Sequence, residues 1–181
     1  MSRKPSVDKP SFATRQAYIT HQGAKILKDE LDFLWKQKRP EVTQAVSEAA
    51  AMGDRSENAE YIYGKRQLRQ IDSRIRFLRK RLENITVVDR LPDDQSKIFF
   101  GAMIEIENDQ TEEILNFRIV GPDEIDPEKK QISIHSPMSK AVLGKSVDDE
   151  IVIRVEDNEQ HYSIISINYP SLELQPTDPP L

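Results

Sequence analysis

Cysteine is missing from all 181 residues, which excludes disulfide frameworks, thiolate metal sites and cysteine nucleophiles. Long apolar runs are missing as well. No window reaches the length of a membrane span, and the first 18 residues are polar and basic, without the apolar core of a signal peptide. We therefore expect a cytoplasmic protein that does not associate with membranes and whose chemistry rests on oxygen and nitrogen groups.

A complete active site is also missing from the sequence. The histidines His21, His135 and His161 stand apart, without a second histidine or a carboxylate at the spacing of metal ligands. The stretch Gly144-Lys145-Ser146 imitates the end of a phosphate-binding loop, but Ser139 stands where that motif requires glycine. We expect a protein that is not itself an enzyme and has no cofactor of its own.

Charge is distributed unevenly along the chain. The net charge is −5, but residues 65–81 carry eight basic residues against one acid, Asp72, and so reach +7. Such a run is often the solvated face of a charged coiled coil. The alternative is that a polyanion, RNA or DNA, relieves the repulsion between the cations. Five cations are the candidate nucleic-acid contacts: Lys65, Arg66, Arg69, Arg76 and Lys80.

Two helical patterns occupy the first half of the chain. Thr20 offers a capping hydroxyl to the first helix, and Pro40 predicts a kink or a restart with Pro40 in the first turn. The first apolar stripe recurs mostly every three or four residues: Leu27, Leu31, Leu34, Val42, Ala45, Ala49 and Met52. The second stripe has the alternation of a coiled coil: Tyr61, Gly64, Leu68, Ile71, Ile75, Leu78, Leu82 and Ile85.

The strongest turn signal between these stripes lies at residues 53–57. A connection this short predicts antiparallel helices, and therefore a coiled-coil hairpin. Arms of roughly 25 to 30 residues, at about 1.5 Å per residue, give a projection on the order of 40 Å. Because the hairpin buries its own seam, we expect a monomer.

Beyond residue 99 the apolar pattern changes to a period of two, which predicts strands with one buried and one solvent-exposed face. Further strands are predicted at 131–135, 150–155 and 162–168, and a short helix begins after Ser136 and ends at Gly144. The fold class is α+β. The predicted segments are a flexible arm (1–17), the hairpin (18–85), a linker (86–98), a β-rich globular domain (99–168) and a flexible tail (169–181).

The residues of the predicted turn allow two interpretations. In the first they form caps: Gly53 ends the first helix, Asp54 or Ser56 caps the second, and nearby acids suit the positive end of the helix dipole. In the second, Asp54 and Glu57 ligate a Mg²⁺ ion that another molecule also holds, since magnesium needs few protein carboxylates when phosphates complete its shell. Spacing alone leaves both open.

Several stretches, in the same order along the chain, resemble the bacterial Gre transcript-cleavage factors. They are residues 30–35, 39–43, 53–61, 99–102, 117–121 and 132–138. The second helix, through Lys80-Arg81-Leu82-Glu83-Asn84, is similar to the GreB branch of that family. The likeness covers about residues 18 to 168.

The resemblance implies a factor that inserts its hairpin through the secondary channel of bacterial RNA polymerase. Asp54 and Glu57, supported by Glu60, would help to hold the second Mg²⁺ of the polymerase active site, which then hydrolyses backtracked RNA. The five candidate cations would attract the extruded 3′ RNA. The C-terminal domain would be FKBP-like and would dock at the channel mouth, without prolyl isomerase activity.

Two other functions stay open at this level. A structural relative that occupies the same channel could inhibit or regulate initiation, although intact Asp54 and Glu57 favour cleavage. A free-standing nucleic-acid-binding coiled coil would bind RNA tightly without polymerase, and with a steep salt dependence.

Overall fold

A computed structural model describes residues 17–52, 57–155 and 158–170. The chain divides into two compact units: one contains Lys25–Ile85, and the other contains Ala17–Ala24 with the chain from Thr86 onward. The helices in the described ranges are α1 (His21–Phe33), α2 (Arg39–Ala51), α3 (Ala59–Glu83) and α4 (Pro137–Val142). None of them is long and apolar enough to span a lipid bilayer. The strands are β1 (Ala17–Thr20), β2 (Ile85–Val88), β3 (Met103–Asn108), β4 (Ile114–Val120), β5 (Gln131–Ser133), β6 (Glu150–Val155) and β7 (Asn158–Asn168).

Helices α2 and α3 form the predicted antiparallel hairpin. At one end, Arg39 Nε donates to Asp72 Oδ1 at 2.8 Å across 33 residues of sequence. At the other end, Asn58 Nδ2 donates to the carbonyl of Ala49 at 2.9 Å across only 9 residues. In an antiparallel pair, the sequence separation between contacting residues shrinks toward the turn that joins the helices, as it does here. The apolar contact between the arms consists of Val42, Ile71 and Ile75, with Leu31, Leu34, Val46 and Leu68 packed around them.

A π-helical segment, Leu34–Lys38, joins α1 to α2. The N–H of Arg39 donates to the carbonyl of Leu34, five residues back, which is the π-helical pattern. Proline crowds the carbonyl four residues before it in a regular α-helix, and the wider turn relieves this crowding just ahead of Pro40. Pro40 lies in the first turn of α2, so the predicted restart is confirmed. The π-helical segment was not predicted.

The helical stripes are confirmed in α3 and only partly in α2. The buried seam of α3 contains Gly64, Ile71, Ile75 and Leu78. In α2, Val42 and Ala49 are buried, but Ala45 is exposed and Val46 packs on the apolar cluster instead. Met52 is 77% exposed. The predictions for Ala45 and Met52 were wrong because, measured around the helix from Val42, these two positions lie about 60° and 80° to one side, whereas Val46 and Ala49 stay within about 40°.

The second unit is built on a five-stranded sheet with the order β5-β4-β3-β7-β6. The β4–β5 pair is parallel and the other pairs are antiparallel. Burial alternates along β3, as the period of two predicted. Two strand ends differ from the prediction: β5 stops at Ser133, and β7 begins at Asn158 because it continues its pairing with β6 to the end of that strand.

The core of this unit lies between the sheet and α4. Its fully buried members include Ile104, Ile106, Ile119, Ile164 and Val142. Ser136 caps α4 as predicted, because its Oγ accepts a hydrogen bond from the N–H of Ser139 at 3.0 Å. Gly144 follows the helix with a φ of +79°, in the left-handed region that glycine adopts without strain. The mixed α+β class is confirmed, and the FKBP likeness stays a prediction.

Strands β1 and β2 pair in a separate two-stranded sheet, which changes the expected segment ends. Ala17, assigned to the arm, begins β1, and Ile85, assigned to the helical seam, begins β2. Ile98 at the end of the expected linker is fully buried. Tyr169, assigned to the tail, accepts the N–H of Phe99 at 2.8 Å. The rest of the expected arm (1–16), and residues 171–181 of the tail, lie outside the described residues.

Glu124 fixes the start of α1. Its carboxylate accepts the backbone N–H of Thr20 at 2.9 Å, the N–H of Gly121 at 3.1 Å and the hydroxyl of Thr20. The Thr20 Oγ1 atom in turn accepts the N–H of Gly23 at 3.0 Å, so Thr20 caps α1 as predicted. This part-buried carboxylate-hydroxyl pair thus holds the start of the helix and satisfies one of its N-terminal N–H groups.

Candidate hairpin tip and basic face

Asn58 connects the ends of the two hairpin helices. Its Oδ1 accepts the backbone N–H of Tyr61 at 3.1 Å and so caps α3, while its Nδ2 donates to the carbonyl of Ala49 near the end of α2. The expectation that Asp54 or Ser56 caps the second helix was wrong. An amide side chain carries both an acceptor and donors, so Asn58 can serve both helices at once.

The acids that the sequence singled out at the tip have different surroundings. Asp54 lies outside the described residues. Glu57 is exposed just before the cap, and Glu60 is exposed in the first turn of α3, where a negative charge suits the helix dipole. In the part of the chain that the structure describes, no three acids or histidines are grouped closely enough to hold a metal ion. Glu57 can contribute carboxylate oxygens to an ion that other groups also hold.

The five candidate cations share one face of α3, which we call the basic face. Successive residues of an α-helix are rotated by about 100°. Measured from the buried Gly64, the five lie between about 100° and 200° around the helix axis, on the side opposite the seam. All five are exposed, and none of them has an ion-pair partner among the described residues. They are Lys65, Arg66, Arg69, Arg76 and Lys80.

The other three cations of the basic run either contact other side chains or are buried. Arg74 makes a bidentate pair with Glu30 of α1, with both N···O distances at 2.7 Å. The guanidinium of Arg79 lies 4.5 Å from the ring centroid of Trp35. Arg81 is fully buried. The structure therefore separates a charge run that is uniform in sequence into three cations that contact other side chains or are buried and five that are exposed without an ion-pair partner among the described residues.

Trp35 is a site residue that sequence reasoning missed. It lies in the π-helical segment, and a second guanidinium, that of Arg39, lies 5.5 Å from its ring centroid. The Arg39–Asp72 ion pair holds that guanidinium in place. The spacing of Trp35 and Arg39, four residues apart, was a signal in the sequence, because such residues are neighbours on a helix surface. Arg79 is far from both in sequence, and only the folded hairpin brings its guanidinium onto the Trp35 ring.

Glu60 lies on a different side of α3 from the basic face. Its position is about 40° beyond Gly64 in the direction away from the cations. There it lines a groove of about 290 Å³ between α2 and α3, together with Tyr63 and Val46. Gly64 permits this close helix contact, since an added Cβ would lie 2.5 Å from Cγ2 of Val46. The structure does not bring Glu60 together with the five cations.

Comparisons with known protein families match both parts of the chain. Residues 17–87 match the family described as "Transcription elongation factor, N-terminal". Residues 93–169 match the family described as "Transcription elongation factor, GreA/GreB, C-term". The two matches follow each other without overlap and leave out only the ends and five residues between the units.

Individual relatives are similar over nearly the same range. The chain is 57% identical to "Transcription elongation factor GreB" of Yersinia pestis over 152 residues, which are 84% of this chain and 88% of the relative. It is 60% identical to the protein of that name from Pasteurella multocida, over 75% of this chain and 85% of the relative. A solved structure of the transcription factor Gfh1 is 23% identical, covers 85% of this chain and 98% of its own, and has a TM-score of 0.42.

Proposed function

The chain belongs to the GreA/GreB family of transcription elongation factors, and from that membership we propose that it acts on bacterial RNA polymerase in the cytoplasm. The family name describes a factor and not an enzyme, so the chain serves the polymerase as a cofactor. Its hairpin enters the secondary channel and reaches a transcript whose 3′ end has backed out of the active site. Stimulated hydrolysis of this RNA leaves a new 3′ end and restarts the arrested complex.

Asp54 and Glu57 are the tip residues that we propose for this step, with Glu60 as support. Asn58 already caps α3, so capping does not occupy the exposed Glu57. Magnesium binds one or two protein carboxylates together with waters and substrate phosphates, a donor set that Asp54, Glu57 and an RNA phosphate fit. The ion belongs to the polymerase, and such an ion activates water for attack on a phosphodiester. Asp54 and Glu57 would supply carboxylate oxygens to that ion and would orient the water beside it.

The observation that carries the proposal is the basic face. Five exposed cations lie on one side of α3 and have no ion-pair partner among the described residues. Like charges along a helix repel each other, and a strand of RNA phosphates relieves that repulsion. The basic face therefore binds the extruded 3′ RNA along the hairpin and leads it toward the tip acids.

The C-terminal unit supplies the remaining contact in this proposal. It docks on the polymerase at the mouth of the channel, as the resemblance to Gre factors implies, and has no isomerase role. The hairpin seam is filled by its own two arms, which supports a monomer as the acting form.

RNA cleavage in a purified, backtracked polymerase complex tests the function. The intact chain, in the presence of Mg²⁺, should cut the extruded RNA, and the Asp54→Asn and Glu57→Gln variants should lose most of this stimulation. Thermal unfolding should hardly change in either variant because Asn58 provides the cap. Glu48→Gln is the matched control: it removes one exposed acid from α2 and should cleave like the intact chain.

The opposite results have distinct meanings. Binding to the polymerase without any cleavage by the intact chain would contradict the proposal and indicate a regulator that only occupies the channel. Loss of thermal stability in Asp54→Asn with full cleavage would assign Asp54 to the stability of the tip and not to cleavage. Equal loss in Glu48→Gln would show that total charge, and not the tip acids, matters.

A further inference from the structure

Trp35 presents a large aromatic surface at the border of the basic face. The residue is 45% exposed, although two guanidinium groups lie within 5.5 Å of its ring centroid. It sits in the π-helical segment of the first arm, and π-helical turns inside helices are frequent at functional sites. An indole with this much free surface can accept a further planar group.

The charges around Trp35 favour an anionic ligand. Arg79 has no carboxylate partner among the described residues, and its guanidinium lies 4.5 Å from the indole centroid. Arg39 is held by a single acid, Asp72. On the helix surface Arg79 lies about 60° from the seam, directly beside Arg76 at about 120°. The indole thus lies next to the basic face, with the Arg39–Asp72 ion pair and the charged guanidinium of Arg79 beside it.

Aromatic rings beside arginine and lysine are the combination that binds single-stranded nucleic acid. Bases stack on the ring in a sequence-tolerant way, while the cations hold the phosphates and the guanidinium planes add cation–π attraction. An internal role for Trp35 as a clamp between the arms explains the two arginine contacts. It does not explain the exposed indole surface at the end of a face of five outward cations.

We propose that Trp35, flanked by Arg39 and Arg79, is a stacking site for a nucleobase of single-stranded RNA. The site rests on the proposed function and extends it, because it gives the extruded RNA a second point of attachment far from the tip. Arg79 lies 20 residues beyond the first residue of α3, which corresponds to about 30 Å along the helix. Only RNA that has backed out far enough reaches Trp35.

Trp35 is the only tryptophan in the chain, so intrinsic tryptophan fluorescence reports on this site alone. We would titrate the intact protein with a short oligoadenylate and, in parallel, with an abasic oligomer of the same length. Stacking quenches the indole with the oligoadenylate only, in a saturable and salt-dependent way. An equal change with both oligomers would mean phosphate binding alone and would overturn the stacking site.

Variants supply the second measurement, in which labelled oligoadenylate binding is followed by anisotropy. Trp35→Leu keeps an apolar side chain but removes the large ring, and should weaken binding on the order of tenfold. Trp35→Tyr keeps an aromatic face and should restore most of the affinity. Unchanged RNA affinity in Trp35→Leu, together with a lower melting temperature, would assign Trp35 to the internal clamp and overturn the proposal.

Polymerase complexes separate this inference from the proposed function. Weaker binding of the Trp35→Leu variant than of the intact chain to core polymerase that carries no RNA would indicate a protein contact and overturn the RNA assignment. If the intact chain stimulates cleavage but oligoadenylate does not quench Trp35, only the stacking site fails. If oligoadenylate quenches Trp35 but no cleavage is stimulated, the stacking site stands and the proposed function fails.

Discussion

Replacing Asn58 with alanine tests how the two arms of the hairpin are joined at their ends. The substitution removes the acceptor for the Tyr61 N–H and the donor to the Ala49 carbonyl. Loss of an N-cap typically costs about 1 kcal/mol, and loss of a side-chain hydrogen bond costs about the same. We therefore expect the free energy of unfolding of the hairpin to fall by about 2 kcal/mol.

Urea unfolding followed by tryptophan fluorescence is a suitable assay, because the single tryptophan, Trp35, lies within the hairpin unit. Asn58→Ser is the matched control. Serine caps helices as well as asparagine but is too short to span both helices, so it should lose only about 1 kcal/mol. The difference between the two variants isolates the bond to Ala49.

The reasoning would be refuted if Asn58→Ala unfolded at the same urea concentration as the intact chain. The cap would then come from another residue, and the interpretation of Asp54 or Ser56 as the capping residue would return. That result would also weaken the functional assignment of the tip, since the argument for Asp54 and Glu57 depends on their freedom from capping.

Three further predictions concern other parts of the molecule. Gly64→Ala should destabilise the hairpin by about 1 to 3 kcal/mol through overpacking against Val46, and adding Val46→Ala should recover most of the loss in urea unfolding. Neutralising Arg69 or Arg76 should reduce the slope of log affinity against log salt for single-stranded RNA by about 0.7 per residue. Filter binding at several salt concentrations measures this slope. An unchanged slope would show that the substituted residue does not contact RNA phosphate. Glu124→Ala should lower the free energy of unfolding by at least about 2 kcal/mol, because three donors lose a charged acceptor. It should also increase amide hydrogen exchange in the first turn of α1. Unaltered exchange there would contradict the role of Glu124 at the start of this helix.

The parts of the fold that repeat locally were predictable from the sequence. The 3-4 alternation of α3 identified the seam around Ile71 and Ile75, and the alternation in β3 identified Ile104 and Ile106 as core. Both depend only on side-chain direction along a regular element. Ser136 before a proline identified the start of α4 for the same local reason.

Features that depend on distant partners were not predictable. Strands β1 and β2 have four residues each and pair across more than sixty positions, so neither carries a pattern of its own. The fully buried Arg81 looked like any other cation of the run. The π-helical turn at Leu34–Lys38 has no signature in apolar periodicity, so it was not predicted either.

The candidate site was predictable by residue type and not by arrangement. Counting charge identified a run of eight cations, and closeness in helical projection indicated most of the five candidates, but only the structure shows that Arg74 pairs with Glu30 and that Arg79 lies over Trp35. The sequence offers several possible capping residues close together at the tip. Asn58 also binds the Ala49 carbonyl, and the position of that carbonyl is visible only in the fold. Trp35 became part of the site through Arg79, which lies 44 positions further along the chain.

The antiparallel seam restricts the lengths that the hairpin can have. Because apolar residues repeat at every heptad, a matched deletion of seven residues from each arm would leave the remaining contacts in register and shorten each helix by about 10.5 Å. A deletion from one arm alone would break that register. The length of the hairpin is therefore encoded in whole heptads, and it can change only in steps of that size.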